Sequence, residues 1–193
     1  GNPSPRYYEV TDKSLTINSM GLPNEGLPYY LDFYKTLPNS INKGRFLSLG
    51  GLNINDNLLM LDTIFQQKNI LHYLDVVEIN LSCPNIVGKA QLGYDFQNLE
   101  SYLQRIFDKI FELENNNKNT DLDENNKTHN LIIGCKLPPY FDMSHFKLVA
   151  NILKKFTRLN YVNCINSIGN GLFVNWETET TAIYPKNGIG GIG

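Results

Sequence analysis

The feature that most constrains this chain is a regular alternation of apolar strand-like segments with helix-like segments. Four segments are predicted to be strands, each ending in polar or turn-forming residues: 45–51, 74–82, 131–139 and 160–167. Apolar side chains recur at helical spacing between them, in 55–67, 95–114 and 142–156, with Asn55, Asp95 and Asp142 as candidate N-caps. Near-continuous apolar strands that alternate with helices predict a parallel sheet covered by helices.

Two α/β architectures fit this alternation, a doubly wound sheet and a β/α barrel. No GxGxxG sequence follows the first strand, which disfavours a dinucleotide-binding domain. Polar residues cluster where the predicted strands end, at Ser48, Asn80–Cys83, Lys136 and Asn166–Ser167. In a barrel these ends meet on the one face that holds the active site.

The length of the chain indicates part of a barrel. A complete (β/α)8 barrel has eight strands in about 250 residues, whereas four strands are predicted in these 193 residues. The chain opens on GNPSPRYY, without methionine, and stops inside the glycine-rich PKNGIGGIG. We therefore expect residues 1–193 to form about the central four strands of a single partial TIM barrel domain, cut at both ends and inactive alone.

Two segments stand outside the alternation. Residues 115–130, NNNKNTDLDENNKTHN, are rich in asparagine and poor in apolar residues, which predicts a disordered surface insertion with no catalytic role. Residues 172–187 alternate like a small antiparallel excursion, in which Trp176 is expected to pack.

Charge and cysteine content exclude several classes of protein. The net charge is −2, so nothing favours nucleic acid or an anionic membrane surface as a partner. No run approaches the roughly 20 apolar residues of a membrane span. Three cysteines without a CxxC pair indicate a reducing compartment and neither a disulfide scaffold nor a metal site.

Cys83 is a candidate for chemistry because of its position after a strand. Pro84 has no N–H and favours extended backbone before it, which places the thiol at the strand exit. A cysteine there is either a small buried apolar residue or a nucleophile or base. No histidine is well placed as its partner, so a Cys–His hydrolase is disfavoured. Cys135 and Cys164 lie inside apolar strands and are expected to be structural.

Lys136 and four amides complete the candidate set. A lysine within IIGCKLPP either reaches the sheet edge or stabilises negative charge on a ligand. Asn18, Asn80, Asn85 and Asn166 are singly typical of turns and caps. Together they offer neutral donors and acceptors that suit a planar ligand with imide and carbonyl groups.

Several motifs in order connect these residues to a known family. The sequences GNPSPR, INSMGLPN, NLSCPN with GKAQLGYDF, KLPPYFD and CINSIGNGL together resemble the dihydroorotate dehydrogenases, in particular the cytosolic, fumarate-linked class 1A. The resemblance implies an FMN-containing (β/α)8 barrel that oxidises dihydroorotate to orotate in pyrimidine biosynthesis. It also implies a cytoplasmic homodimer that passes electrons to fumarate, giving succinate.

The resemblance assigns a role to individual residues. It implies that Cys83 is the base that takes a proton from C5 of dihydroorotate while C6 delivers hydride to the flavin, and that residues 82–91 form a closing loop. The cofactor-binding residues that it implies are Asn80, Lys136, Ile165 and Gly193. The substrate-binding residues that it implies are Asn18, Ser19, Met20, Gly21, Leu22, Asn80, Asn85, Asn166 and Ser167. No metal ligand is expected.

Departures from the family leave alternatives open. The opening strands and the last two strands, with most of the glycines that hold the FMN phosphate, are absent from these residues. The sequence SLGG replaces a more usual serine–glycine pair, and Ala90 stands where proline is common. The alternatives are an NAD-linked class 1B enzyme, a dihydropyrimidine-oxidising relative, or a non-catalytic fragment or pseudoenzyme.

Overall fold

A computed structural model describes residues 1–10, 12, 14–38, 43–82, 91–120 and 131–193. The strands within these ranges are β1 (Tyr7–Val10), β2 (Leu15–Asn18), β3 (Phe46–Leu49), β4 (Val76–Asn80), β5 (Ile132–Leu137), β6 (Tyr161–Cys164), β7 (Ile168–Leu172), β8 (Val174–Asn175), β9 (Thr180–Thr181) and β10 (Ile189–Ile192). The α-helices are α1 (Leu27–Thr36), α2 (Ile54–Gln66), α3 (Phe96–Thr120) and α4 (Met143–Leu153). The chain divides into two compact units, a larger one of Gly26–Cys164 and a smaller one of Gly1–Glu25 with Ile165–Gly193.

The larger unit contains a four-stranded parallel sheet in the order β3-β4-β5-β6. Each strand lies beside the one that precedes it in the chain. A doubly wound sheet reverses its strand order at a switch point, whereas a barrel adds strands in one direction. The sequential order confirms the predicted α/β fold with a parallel sheet, and it is the strand order of part of a barrel.

The two faces of this sheet differ because alternate residues point to opposite sides. One face presents Leu47, Val77, Ile133 and Cys135, all buried in a core shared with the helices. The register places Ser48, Glu78 and Gly134 opposite one another on the other face. The helices thus cover one side of the sheet, and the polar residues of the strands lie on the other.

The helix ends follow local capping chemistry. Asn53 caps α2, because its side chain accepts hydrogen bonds from the backbone N–H groups of Asn55 and Asp56, so the prediction of Asn55 as the cap is wrong by two residues. Asp142 caps α4 as predicted, accepting from His145 N at 3.0 Å. Helix α1 had no predicted counterpart; it starts at Leu27 with Pro28 in its first turn, a favoured position.

Helix α3 extends further than the sequence predicts. It continues through residues 115–120, which were assigned to the disordered tract. Once a helix is nucleated, each added residue gains a hydrogen bond, so an amphipathic helix can propagate into polar sequence. The disorder prediction is wrong for these six residues, and residues 121–130 lie outside the described residues.

The smaller unit is an antiparallel sheet in the order β1-β2-β10-β7, with a separate two-stranded ribbon of β8 and β9. The ribbon agrees with the excursion predicted for residues 172–187. Trp176 within it is 82% exposed, so the expectation that it packs is wrong for this chain. The predicted strand 160–167 ends at Cys164, and a new strand begins at Ile168. Whether both units belong to one barrel domain stays a prediction.

None of the helices in the described part of the chain combines the length and apolar character needed to cross a membrane.

Candidate active site

The carboxyl edge of the parallel sheet brings two predicted site residues together. Asn80 is the last residue of β4, and its register partner on β5 is Lys136. Both side chains are half-buried, and the alternation of the strands places them on the face away from the helices. An amide and an ammonium group therefore lie side by side where parallel strands end, the position of active sites in barrels.

Asn80 is fixed by a turn that follows its strand. Its Oδ1 accepts hydrogen bonds from Ser82 N at 3.1 Å and from Ser82 Oγ at 3.3 Å. The Lys136 ammonium makes no hydrogen bond or ion pair with any residue that the structure describes. A half-buried cation in this position is suited to an anionic or electron-rich ligand.

The segment that holds Cys83 and Asn85 lies outside the described residues, but its two flanks are anchored. Leu81 N donates to Lys136 O at 3.0 Å, and Gly93 N donates to Leu81 O at 2.8 Å. Tyr140 Oη donates to Gly93 O at 2.6 Å, which ties the KLPPY sequence to the same point. The roles of Cys83 as base and of Asn85 as a substrate ligand stay predictions.

The other two cysteines differ from each other. Cys135 is fully buried, and burial, with a smaller contribution from the charge of Glu78, raises the pKa of its thiol to about 12. It is a structural residue, as predicted. Cys164 is exposed, contrary to its prediction as a buried strand residue, because it lies on β6, the last strand of the sheet.

In the smaller unit, the predicted substrate segment 18–22 is held by the beginning of the chain. Ser19 is buried, its O accepts from Asn2 Nδ2 at 2.8 Å, and Met20 O accepts from Asn2 N at 3.0 Å. Gly21 and Leu22 both have positive φ, 67° and 48°. A leucine with positive φ is strained, and such strain often accompanies function.

The same unit contains the remaining predicted residues. Asn18 Nδ2 donates to Gly191 O at 3.3 Å, and a side chain at Gly191 would lie 2.8 Å from Ser167 Cβ, so three chain segments meet closely. Ile165 is 48% exposed and Asn166 is half-buried. The backbone N–H of Gly193 is already donated to Thr16 O at 3.1 Å. Ligand contacts of these residues stay predictions.

Sequence reasoning missed one residue, Glu78. The residue is only 7% exposed and lies on the same face of β4 as Asn80. It accepts hydrogen bonds from Ser48 Oγ at 2.8 Å, Asn163 Nδ2 at 3.0 Å and Tyr161 Oη at 3.2 Å. A glutamate inside the apolar run LDVVEI was the available signal, since buried carboxylates are rare unless partnered.

The donor groups at the carboxyl edge of the larger unit suit a flat heteroaromatic ring. Lys136 supplies a cation and Asn80 a neutral amide, which can match ring carbonyl and N–H groups. No cluster of three or more metal-ligating side chains occurs within the described ranges.

A family model described as "Dihydroorotate dehydrogenase" matches residues 1–193. Curated relatives named "Dihydroorotate dehydrogenase (fumarate)" include those of Lachancea kluyveri (44% identical over 195 residues) and Trypanosoma cruzi (39% over 196 residues). "Dihydroorotate dehydrogenase A (fumarate)" of Lactococcus lactis is 43% identical over 197 residues. In each case the match covers 100% of this chain and 54% of the relative, so the chain spans about half the length of these relatives.

The solved structure of ligand-free DHODH from Eimeria tenella has a TM-score of 0.62 with this chain at 15% identity. The structural match covers 100% of this chain and 53% of the Eimeria chain. The ferulenol complex from the same organism gives the same TM-score at 17% identity. At these identities the likeness shows the fold.

Proposed function

This chain belongs to the dihydroorotate dehydrogenase family, and on that premise we propose that the complete protein oxidises dihydroorotate to orotate in pyrimidine biosynthesis. The proposal includes FMN as cofactor and fumarate as the final electron acceptor. Support for fumarate over NAD comes from the relatives, since those from three distant organisms carry the fumarate-type name. The chain covers about half of their length, so the activity is proposed for the whole protein.

The observation that carries the proposal is the register pair of Asn80 and Lys136 at the carboxyl edge of the parallel sheet. A cation at this edge can stabilise negative charge that develops on a bound ring. The neighbouring amide can fix the orientation of the same ring through its N–H and carbonyl groups. Ile165 would add apolar contact with the cofactor, and Gly193 is proposed to lie near it.

We propose that the substrate is held by the amides Asn18, Asn85 and Asn166, by Ser167, and by segment 19–22. The positive φ angles of Gly21 and Leu22 turn the backbone sharply there, and successive N–H groups in such a turn can bind a carboxylate. FMN, when bound, supplies the hydride acceptor. Cys83 takes the proton from C5 of dihydroorotate, a role that requires its thiolate form.

We further propose that the complete protein is a cytoplasmic homodimer. The support for self-association is a set of exposed apolar side chains in the smaller unit, among them Trp176, Tyr184 and Leu172. Removal of exposed apolar side chains from water favours the association of two subunits.

The test is orotate formation by the full-length protein, followed by absorbance under anaerobic conditions with fumarate, NAD or a quinone as acceptor. We expect turnover with fumarate and little with the others. The variant Cys83→Ala should retain bound flavin and lose turnover by about 10²–10⁴-fold. Turnover with NAD alone would move the protein to the NAD-linked class. No orotate with any acceptor would contradict the proposal.

A further inference from the structure

Glu78 forms a hydrogen-bonded network across the whole parallel sheet of the larger unit. Its donors come from β3, through Ser48, and from β6, through Tyr161 and Asn163. All three donors are neutral, and among the described residues no ion pair is formed by Glu78. Burying a carboxylate is unfavourable unless its lone pairs are satisfied, so this network holds the carboxylate at a defined place.

A glycine in β5, Gly134, leaves room for this network. Tyr161 must cross over β5 to reach Glu78, and it does so above Gly134, which is its register partner. A Cβ atom at Gly134 would overlap the Tyr161 ring, with Cδ1 at 2.5 Å. Glycine within a strand is unfavourable and often marks such a close approach. Burial, together with the charge of Glu78, raises the pKa of the Tyr161 hydroxyl, which stays protonated and donates.

The network lies directly beneath the pair proposed to contact ligand. Glu78, Gly134 and Tyr161 form one layer of the sheet face. Asn80, Lys136 and Asn163 form the next layer, about 6.6 Å closer to the carboxyl edge. Asn163 belongs to both, since it is the register partner of Lys136 and donates to Glu78.

We propose that Glu78 is a positioning residue that acts through Lys136. The fixed carboxylate one layer below attracts the ammonium group, and Asn163 limits its movement from the β6 side. The position of the Lys136 charge at the carboxyl edge is therefore set from beneath, before any ligand binds. The part of this inference that concerns flavin rests on the proposed function.

A double-mutant cycle tests whether Glu78 acts through Lys136. The full-length protein is prepared as wild type, Glu78→Gln, Lys136→Ala and the double variant. Flavin bleaching by dihydroorotate is measured by stopped flow, and FMN binding to the apoprotein by fluorescence titration. We expect Glu78→Gln to slow bleaching about tenfold when Lys136 is present and less than about twofold when it is replaced. Equal changes in both backgrounds, or none, would overturn the inference.

Two further measurements separate the possible failures. The rate at which Lys136 of the apoprotein is acylated, measured by mass spectrometry against Lys147, should rise about threefold in Glu78→Gln because the side chain is released. An unchanged rate would overturn the inference without any use of flavin. A wild type that does not bleach with dihydroorotate would instead overturn the proposed function.

If Glu78→Gln does not fold, the same cycle is run with Tyr161→Phe in place of Glu78→Gln. We expect a smaller coupling with Lys136→Ala in that cycle. Additive effects of Tyr161→Phe and Lys136→Ala would again contradict the inference.

Discussion

The two faces of the parallel sheet are made from the same strands but have opposite chemistry. The helix-facing side, with Val77, Ile133 and Cys135, is apolar and fully buried. The other side carries Glu78, Asn80 and Lys136, a buried carboxylate below an amide and a cation. One face thus contributes free energy of folding, and the other arranges charge. The comparison teaches that neighbouring residues on one strand can be altered with separate effects on stability and on function.

The largest effect is expected on the apolar side, from Leu61→Ala in α2. Leu61 is 0% exposed, and removing a buried leucine side chain costs about 2–5 kcal/mol. Leu59 on the same helix is 66% exposed and provides the matched control, with an expected cost of under about 0.5 kcal/mol for Leu59→Ala. Urea unfolding of the full-length variants measures both. Similar losses of stability at the two positions would show that the buried and exposed sides of α2 do not differ in their contribution to folding.

The next effect is expected on the polar side, from Lys136→Ala. Loss of a charge that stabilises developing negative charge should slow flavin reduction about 10²–10³-fold. The urea midpoint should change little, because the ammonium makes no hydrogen bond or ion pair with the described residues. Lys147→Ala on the exposed part of α4 is the control and should match wild type. A variant with wild-type reduction rate would return Lys136 to the role of a side chain that merely reaches the sheet edge.

Gly134→Ala should lower stability from the polar side of the sheet, because Gly134 lies in the same layer as Glu78, under the Tyr161 ring. The new methyl group overlaps the Tyr161 ring, and overpacking of this kind costs about 1–3 kcal/mol. A second substitution, Tyr161→Ala, should restore much of the lost stability by making room, although it removes a donor to Glu78. Thermal unfolding of the single and double variants measures the rescue. Additive losses would show that the two residues do not compete for space.

The smallest effect is expected from shortening the asparagine-rich tract by deleting residues 116–128. Arg158 joins the two sides of this tract, since its Nη2 donates to Glu114 Oε1 at 2.6 Å and to Leu131 O at 2.5 Å. The ends are thus held near each other, and loop length changes stability only logarithmically. We expect stability within about 1 kcal/mol of wild type and unchanged turnover. Lost activity or altered oligomeric state in the deletion variant would contradict a surface role.

Sequence reasoning found those features that have a local signal. The apolar periods located all four parallel strands, and the polar residues at their ends located Asn80 and Lys136. It missed the antiparallel sheet of the smaller unit, because Asn18 pairs with Gly191 across almost the whole chain. It gave no role to Gly134, whose need for glycine is visible only when Tyr161 lies above it. Features that depend on distant partners leave no pattern in one segment.

The length and direction of α3 place its C-terminal end far from the candidate site. Its 25 residues span about 37 Å, more than the strands beside it. A helix that joins parallel strands runs back toward their amino ends, so the end of α3 at Thr120 and the start of the next strand near Leu131 lie at the edge opposite Asn80 and Lys136. A change of chain length at that edge does not enter the carboxyl edge where Asn80 and Lys136 lie. The same place offers an attachment point for a fluorophore or affinity handle that leaves the reacting edge clear.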